Sequence, residues 1–340
     1  MIGFGSFLKD YLEYNNISQS EFALRLGITQ KHMNEILSGK QNITLTMAGT
    51  IERLTDIPAS FIISVENKRL LIKELLTKYE SEEELKKIIK NEFCFNELKK
   101  NNWVLFKDET SVFQSCVDIL NFLNVKDFDA FEKLKNYTLF KKTGNDYNKL
   151  ALWVAHCDKL IVNQKVEVYD SNNFGKIINE LLRESYEKDI NLNKITSILN
   201  KYGIFFICEK ALPGTKERGC FRVKGKTPTI YVTKNYSTKD SFYFELFHEL
   251  GHCKSDYVMA QSKTIIDGDE YREKRADEFA IKTMINDYDW NEIIKLNLNE
   301  QKMLKYSHDN KICMSFIVGR LAKEKYIKYN SVLYNKYKNI

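Results

Sequence analysis

The sequence predicts an α+β protein, helical for most of its length, with one small sheet near its centre of chemistry. Three stretches carry that prediction. "ISQSEFALRLGITQKHMNEILSGKQNIT" (17–44) has the rhythm of two short amphipathic helices joined by a glycine turn. "IFFIC" (204–208), "GCFRV" (219–223) and "TIYVT" (229–233) are short β-branched and aromatic runs, punctuated by Pro213-Gly214 and Pro228. "FELFHELGHCKSD" (244–256) places two histidines four apart on an apolar helical background. The expected division is residues 1–66, an N-terminal five-helix module; 67–169, a helical connector; and 170–340, a domain holding the histidine helix, the small sheet and a basic helical end.

Composition narrows the class. The 340 residues are 43% hydrophobic and 29% charged, with three prolines, which suits packed domains rather than long disordered linkers. The seven cysteines are scattered and form no CxxC pair. That pattern fits reduced thiols in a cytoplasm rather than a disulfide framework. No run of apolar residues is long enough to span a bilayer, and "MIGFGSFLKD" lacks the pattern of a secretory signal, so a cytoplasmic protein without a membrane partner is expected. The net charge of +6 is unevenly placed. Residues 1–65 hold five Lys/Arg against six Asp/Glu, whereas residues 301–340 hold nine against two. Bulk charge alone therefore does not mark the front module as a nucleic-acid binder.

In that front module, a helix over Phe4–Tyr14 opens the chain. Ser18 can cap the next, with Glu21 three residues on as in a capping box. Phe22, Ala23 and Leu26 form its inner stripe, Gly27 ends it and Ile28 plugs the turn. Thr29 can cap the following helix, whose inner face is Met33, Ile36 and Leu37, before Gly39 stops it. Thr46–Leu54 supplies a further helix. These residues, with "IERLTDIPASFI" behind them, resemble the XRE family of helix-turn-helix proteins, in its HigA-like antitoxin branch, over about residues 5–66. The resemblance implies that Gln30, Lys31 and Asn34 face base edges of double-stranded operator DNA. It implies also that Gln19, Thr29 and Lys40 hold phosphates, and that a homodimer is the default assembly. A dimerising module that no longer binds DNA is the other reading of the same helices.

The middle reads as helices with solvated charged faces. "KRLLIKELLTKYESEEELKKIIKNEF", "SVFQSCVDILNFLNV" and "LALWVAHCDKLIV" show helical spacing, with His156 expected as a packed core side chain.

The chemistry gathers further on. His248 and His252 leave one face of a helix one turn apart, so two imidazole nitrogens can reach one zinc ion. Glu249, one residue round, is poorly placed as a ligand and well placed as a general base toward water activated by the metal. A third ligand is available in "YREKRADEFAIKTM" (271–284), where Glu273 completes a His₂Glu set. Asp277, one turn on, can accept the second ring N–H of a ligand histidine. Gly251 costs helix stability and calls for another element packed close against it. "SDYVMAQSKTIIDGDE" (255–270) is expected as a loop able to act as a lid, Cys253 to point away from the metal, and Cys220 and His308 to be at most minor contributors.

The segments "LPGTKERGCFRV", "PTIYVTKNYSTKDSFYFELFHELGH" and "IDGDEYREKRADEFA" resemble the ImmA/IrrE family of zinc metallopeptidases, from about residue 170 to the end. That resemblance implies a zincin-like domain in which His248, His252 and Glu273 bind zinc and Glu249 is catalytic. The family's apolar pair and proline after "FA" are replaced here by "IKTMINDY". The combined expectation is a DNA-binding transcriptional regulator carrying a zinc endopeptidase that acts on a repressor or within a toxin–antitoxin or mobile-element circuit. The alternative is a HigA-like antitoxin or repressor whose zinc domain binds a partner or senses a state without proteolysis.

Overall fold

The structure, a computed structural model, describes residues 3–79, 81–108, 110–137, 147–187, 189–215, 218–261 and 270–339, without the side chains of residues 76 and 135–137. It is mostly helical with one small mixed sheet, the α+β layout that the sequence predicts. Two compact units are present. One takes in residues up to Asn91 together with Phe106–Val117; the other takes in Glu92–Leu105 and the chain from Asp118 onward.

The first unit begins with α1 (Phe4–Tyr14), α2 (Gln19–Leu26), α3 (Gln30–Leu37), α4 (Leu45–Thr55) and α5 (Ala59–Lys78). Phe4, Leu8, Phe22, Met33, Ile36, Ile51 and Ile62 form its core. Caps set the helix starts: the Ser18 hydroxyl accepts from Glu21 N, Thr29 from His32 N and Thr44 from Met47 N. Only half of the expected capping box is present, because the Glu21 carboxylate turns to Arg25 one turn on instead of back to Ser18. Gly27 takes the left-handed conformation (φ 71°) that ends α2. Gly5 lets α1 lie against the end of α3, since a Cβ there would come within 2.2 Å of the Ile36 carbonyl oxygen. Residue 66, the expected end of the front module, lies inside α5, which runs on to Lys78.

On that helix Glu66 and Arg69 form a buried ion pair (Nη2–Oε2 2.9 Å). Glu66 also accepts from Phe4 N at the start of α1, and Arg69 donates to the Gly39 carbonyl and to Asn42 Oδ1. One α5 pair thus ties the first helix and the turn after α3 to the fifth. Helix α6 (Glu82–Asn91) follows, with α7 (Phe95–Lys100) assigned to the second unit and α8 (Val112–Leu123) crossing the division.

The second unit continues with α9 (Phe128–Tyr137), α10 (Tyr147–Leu160), α11 (Phe174–Ser185) and α12 (Leu192–Lys201). The strands β1 (Phe205–Glu209), β2 (Gly219–Lys224) and β3 (Thr227–Thr233) lie in the order β1-β3-β2, with β1 parallel and β2 antiparallel to β3. Pro228 does not break a strand as expected: it is the second residue of β3, opposite Val223, and β1 pairing starts only at Thr229. Its missing N–H therefore falls where β3 has a single neighbour.

The sheet has two covered faces, read from its alternation. Phe206, Phe221, Ile230 and Val232 pack into the main core with α11, α12 and the long α13 (Lys239–Ala260). Cys220 and Tyr231 pack oppositely, against Leu150, Trp153 and Cys157 of α10. The helix that reads as part of a connector is thus a sheet-covering helix. Asp158 fixes it there, accepting from Tyr231 Oη (2.6 Å) and Arg222 Nη1 (2.9 Å). After α13 come α14 (Glu270–Met284), α15 (Asp287–Lys295), α16 (Glu300–Asn310), α17 (Met314–Lys323) and α18 (Val332–Tyr337). No helix of the described residues is long and apolar enough to cross a membrane.

Replacing Arg69 with Ala leaves the Glu66 carboxylate buried without its cation, a change that costs about 3–5 kcal/mol. Urea unfolding followed by helix ellipticity should show the transition of the first unit shifted to lower denaturant. An unchanged midpoint would show that the pair does not hold that unit together.

Candidate metal centre and nucleic-acid interface

Helix α13 runs straight through the histidine motif, from Lys239 to Ala260. Thr238 occupies the N-cap position, but its hydroxyl pairs with Ser241 Oγ (2.9 Å) and makes no cap hydrogen bond. The first six residues of the segment expected as a loop after the histidines, 255–260, continue the helix instead; residues 262–269 lie outside the described residues.

Helix α14 lies against α13 where Gly251 removes the obstacle. A Cβ at Gly251 would meet Ala276 Cα and Phe279 Cδ1 at 3.1 Å. This contact brings Glu273 opposite the two histidines. His248 Nε2 and His252 Nε2 are 3.1 Å apart, and the Glu273 carboxylate oxygens stand 3.4 Å from each of them. His248, His252 and Glu273 form a group able to hold a metal ion, with ligand atoms all within 4.8 Å of one another. Two imidazoles and a carboxylate suit zinc by donor chemistry.

Each imidazole is oriented from behind. His248 Nδ1 faces Asp277 Oδ1 at 2.8 Å, and His252 Nδ1 faces Asp256 Oδ2 at 2.9 Å. With both Nδ1–H groups donating to carboxylates, both Nε2 lone pairs are directed at the common point. Arg275, two residues after Glu273, pairs with the other oxygen of the buried Asp256. Sequence reasoning missed Asp256 and Arg275. Asp256 had a signal, being one helical turn after His252 in "HCKSD"; Arg275 becomes meaningful only when α14 lies beside α13.

Burial opposes charge on both rings, but hydrogen bonds to Asp277 and Glu273 raise the His248 pKa, and those to Asp256 and Glu273 raise that of His252. Burial works against the Glu273 carboxylate too, and its contacts with the two histidines outweigh this and lower its pKa. The carboxylates around the two rings thus favour positive charge at this point.

Glu249 is buried beside this group, against β2. A Cβ on Gly219 would come within 2.3 Å of Glu249 Oε1 and 2.7 Å of Glu245 Oε1, so glycine lets the strand lie over both carboxylates without displacing their ends. Burial, offset in part by the two histidines, raises the Glu249 pKa. Burial and the neighbouring Glu249 push Glu245 up to about 7.

Other expected contributors lie elsewhere. Cys253 is buried with its thiol toward Tyr169 Oη, 3.7 Å away. Cys220 faces the α10 side of the sheet. His308 is exposed and pairs with Asp309 at 3.5 Å. His156 is half-buried and stacked on Trp103, with ring centroids 4.3 Å apart, rather than packed inside the core.

In the first unit, Gln30, Lys31 and Asn34 are exposed on α3, and Gln30 Nε2 donates to Asn34 Oδ1 at 3.5 Å. Thr29 is exposed but its hydroxyl already caps α3, Gln19 is half-buried at the start of α2, and Lys40 is exposed after α3. The paired amides and Lys31 thus share the outer face of the second helix of the motif.

A helix-turn-helix family model matches residues 8–62, which takes in α1 from Leu8, α2 to α4 and the beginning of α5. No curated protein and no solved structure matches the chain. The match supports a DNA-binding regulator.

Two outcomes check the metal group. Asp256→Ala frees the His252 ring, and zinc affinity should fall by about 10–100-fold, read by competition with a chromophoric chelator; equal affinity would remove Asp256 from the site. Because the free imidazoles keep protons above their ordinary range and must lose them to bind a cation, zinc uptake near neutral pH should release at least one proton. Affinity should accordingly rise with pH. Calorimetry in buffers of different ionisation enthalpy measures that release, and its absence contradicts the assignment.

Proposed function

We propose that this chain is a DNA-binding regulator carrying a zinc-dependent endopeptidase. The observation that carries the enzymatic half is the convergence of His248, His252 and Glu273 from two helices, with Glu249 buried beside them. The residue-by-residue resemblance of these segments to ImmA/IrrE metallopeptidases supports the same reading, as does the zincin-like sequence of a sheet followed by α13 and α14.

His248, His252 and Glu273 would hold the zinc. Zinc at such a site supplies Lewis acidity toward a scissile carbonyl and makes water a better nucleophile near neutral pH. Glu249 accepts the proton from that attacking water and returns it to the departing amine. Asp277 and Asp256 hold the imidazoles in the tautomer that offers Nε2. Gly219 keeps room for the Glu249 carboxylate under β2. The substrate on this reading is a protein, a repressor or a toxin–antitoxin partner.

The front module, on the same reading, binds operator DNA as a homodimer through Gln30, Lys31 and Asn34, with Gln19, Thr29 and Lys40 at phosphates. The shared hydrogen bond between Gln30 and Asn34 pre-orders two amides for base contact. The helix-turn-helix match also accommodates the alternative, a repressor whose zinc domain binds a partner without turnover.

A single set of variants separates these readings. Glu249→Gln should keep zinc content and DNA binding while cleavage falls by about 100-fold or more, the scale of losing a positioned general base. If regulation in cells survives that change, the non-proteolytic alternative holds. The Lys31→Ala/Asn34→Ala pair should abolish the gel shift on the protein's own promoter and leave zinc binding intact.

A further inference from the structure

Beside the metal group lies a cleft of about 260 Å³ between α13, α14 and α17. Asp277, which holds His248, is in its lining. Phe244, Ile281, Met284 and Phe316 make an apolar wall. Asp240, in the first turn of α13, also lines the cleft, and its Oδ1 is buried without a hydrogen-bond partner. Burial pushes its carboxyl pKa up, against the pull of Thr238 and the helix-start amides. The position is a built one: a Cβ on Gly319 of α17 would come within 2.3 Å of Asp240 Oδ2, so only glycine there leaves the carboxylate its place.

We infer that this cleft is a specificity pocket for a lysine or arginine side chain of the peptide cleaved at the metal group; the inference rests on the peptidase reading above. A buried acceptor without a partner is costly, so its presence is informative, and an incoming cation is the donor that satisfies it best. The other carboxylates of the cleft are already engaged. Glu324 is engaged by Arg320 and Trp290 Nε1, and Asp277 by His248. Arg218, Arg320 and Lys323 line the cleft as well; Arg320 is held by Glu324 and the Ile285 carbonyl, and Arg218 and Lys323 are exposed. The apolar wall suits the methylene stem of a long basic side chain. Asp240 is eight residues before His248, hence about 12 Å along the helix at 1.5 Å per residue. One residue of extended chain spans about 3.3–3.6 Å. A residue flanking the scissile bond therefore reaches Asp240 only with a long side chain.

The test uses the zinc-loaded full chain with Glu249→Gln, which binds peptide without turnover. The probes are an acetylated, amidated pentapeptide with a central lysine and its norleucine counterpart. The lysine peptide should bind about 10–100-fold more tightly, the range of a hydrogen bond to a charged group. Adding Asp240→Asn should erase the difference, and Ile281→Trp, which fills the cleft, should weaken both peptides. Equal binding of the two peptides, a preference that survives Asp240→Asn, or no binding of either overturns the inference. Cleavage by the unsubstituted chain is read separately. Lysine-selective binding without cleavage keeps the pocket and removes the peptidase reading; cleavage without lysine preference does the reverse.

Discussion

The close approach of α13 and α14 at Gly251 is the constraint on which the candidate site depends. Gly251 stands between the two histidines in sequence, and Ala276 and Phe279 occupy the space a side chain would need. The ligand geometry is a matter of tenths of an ångström, with Glu273 at 3.4 Å from both rings. Any side chain at 251 would push Glu273, Arg275 and Asp277 back together, because all three ride on α14. The helix bears a glycine cost of about 1 kcal/mol relative to alanine for this contact.

Beta strand β2 supplies the second constraint. It is an edge strand, and Gly219 opens it over Glu249 and Glu245. Glu249 is thereby kept buried without being crowded out. Glycine stands at two places where this unit brings backbone close to a carboxylate: Gly219 over Glu249, Gly319 over Asp240.

Much of this was legible in the sequence, for a physical reason. Helical periodicity is local, so the shared face of His248 and His252, and of Glu273 and Asp277, followed from spacing alone. The strands were legible to within two residues for the same reason. What escaped was tertiary. Pro228 reads as a breaker until β3 is seen to have one neighbour at that level. The α10 helix reads as connector until its stripe is seen against Tyr231. Ser18 and Glu21 read as a reciprocal box until Arg25 competes for the carboxylate. Asp256 was within reach of the periodicity argument; its partner Arg275 was not.

The links from His252 through Asp256 to Arg275, and from His248 to Asp277, join the two helices by side chains that are not themselves ligands. The cage is thus braced by carboxylate struts that link α13 to α14 apart from the ligand atoms themselves. Binding free energy then need not be spent on folding the site, as it is in small zinc modules that are disordered without their ion. Such a framework favours an ion that can be gained and lost while the protein around it keeps its shape.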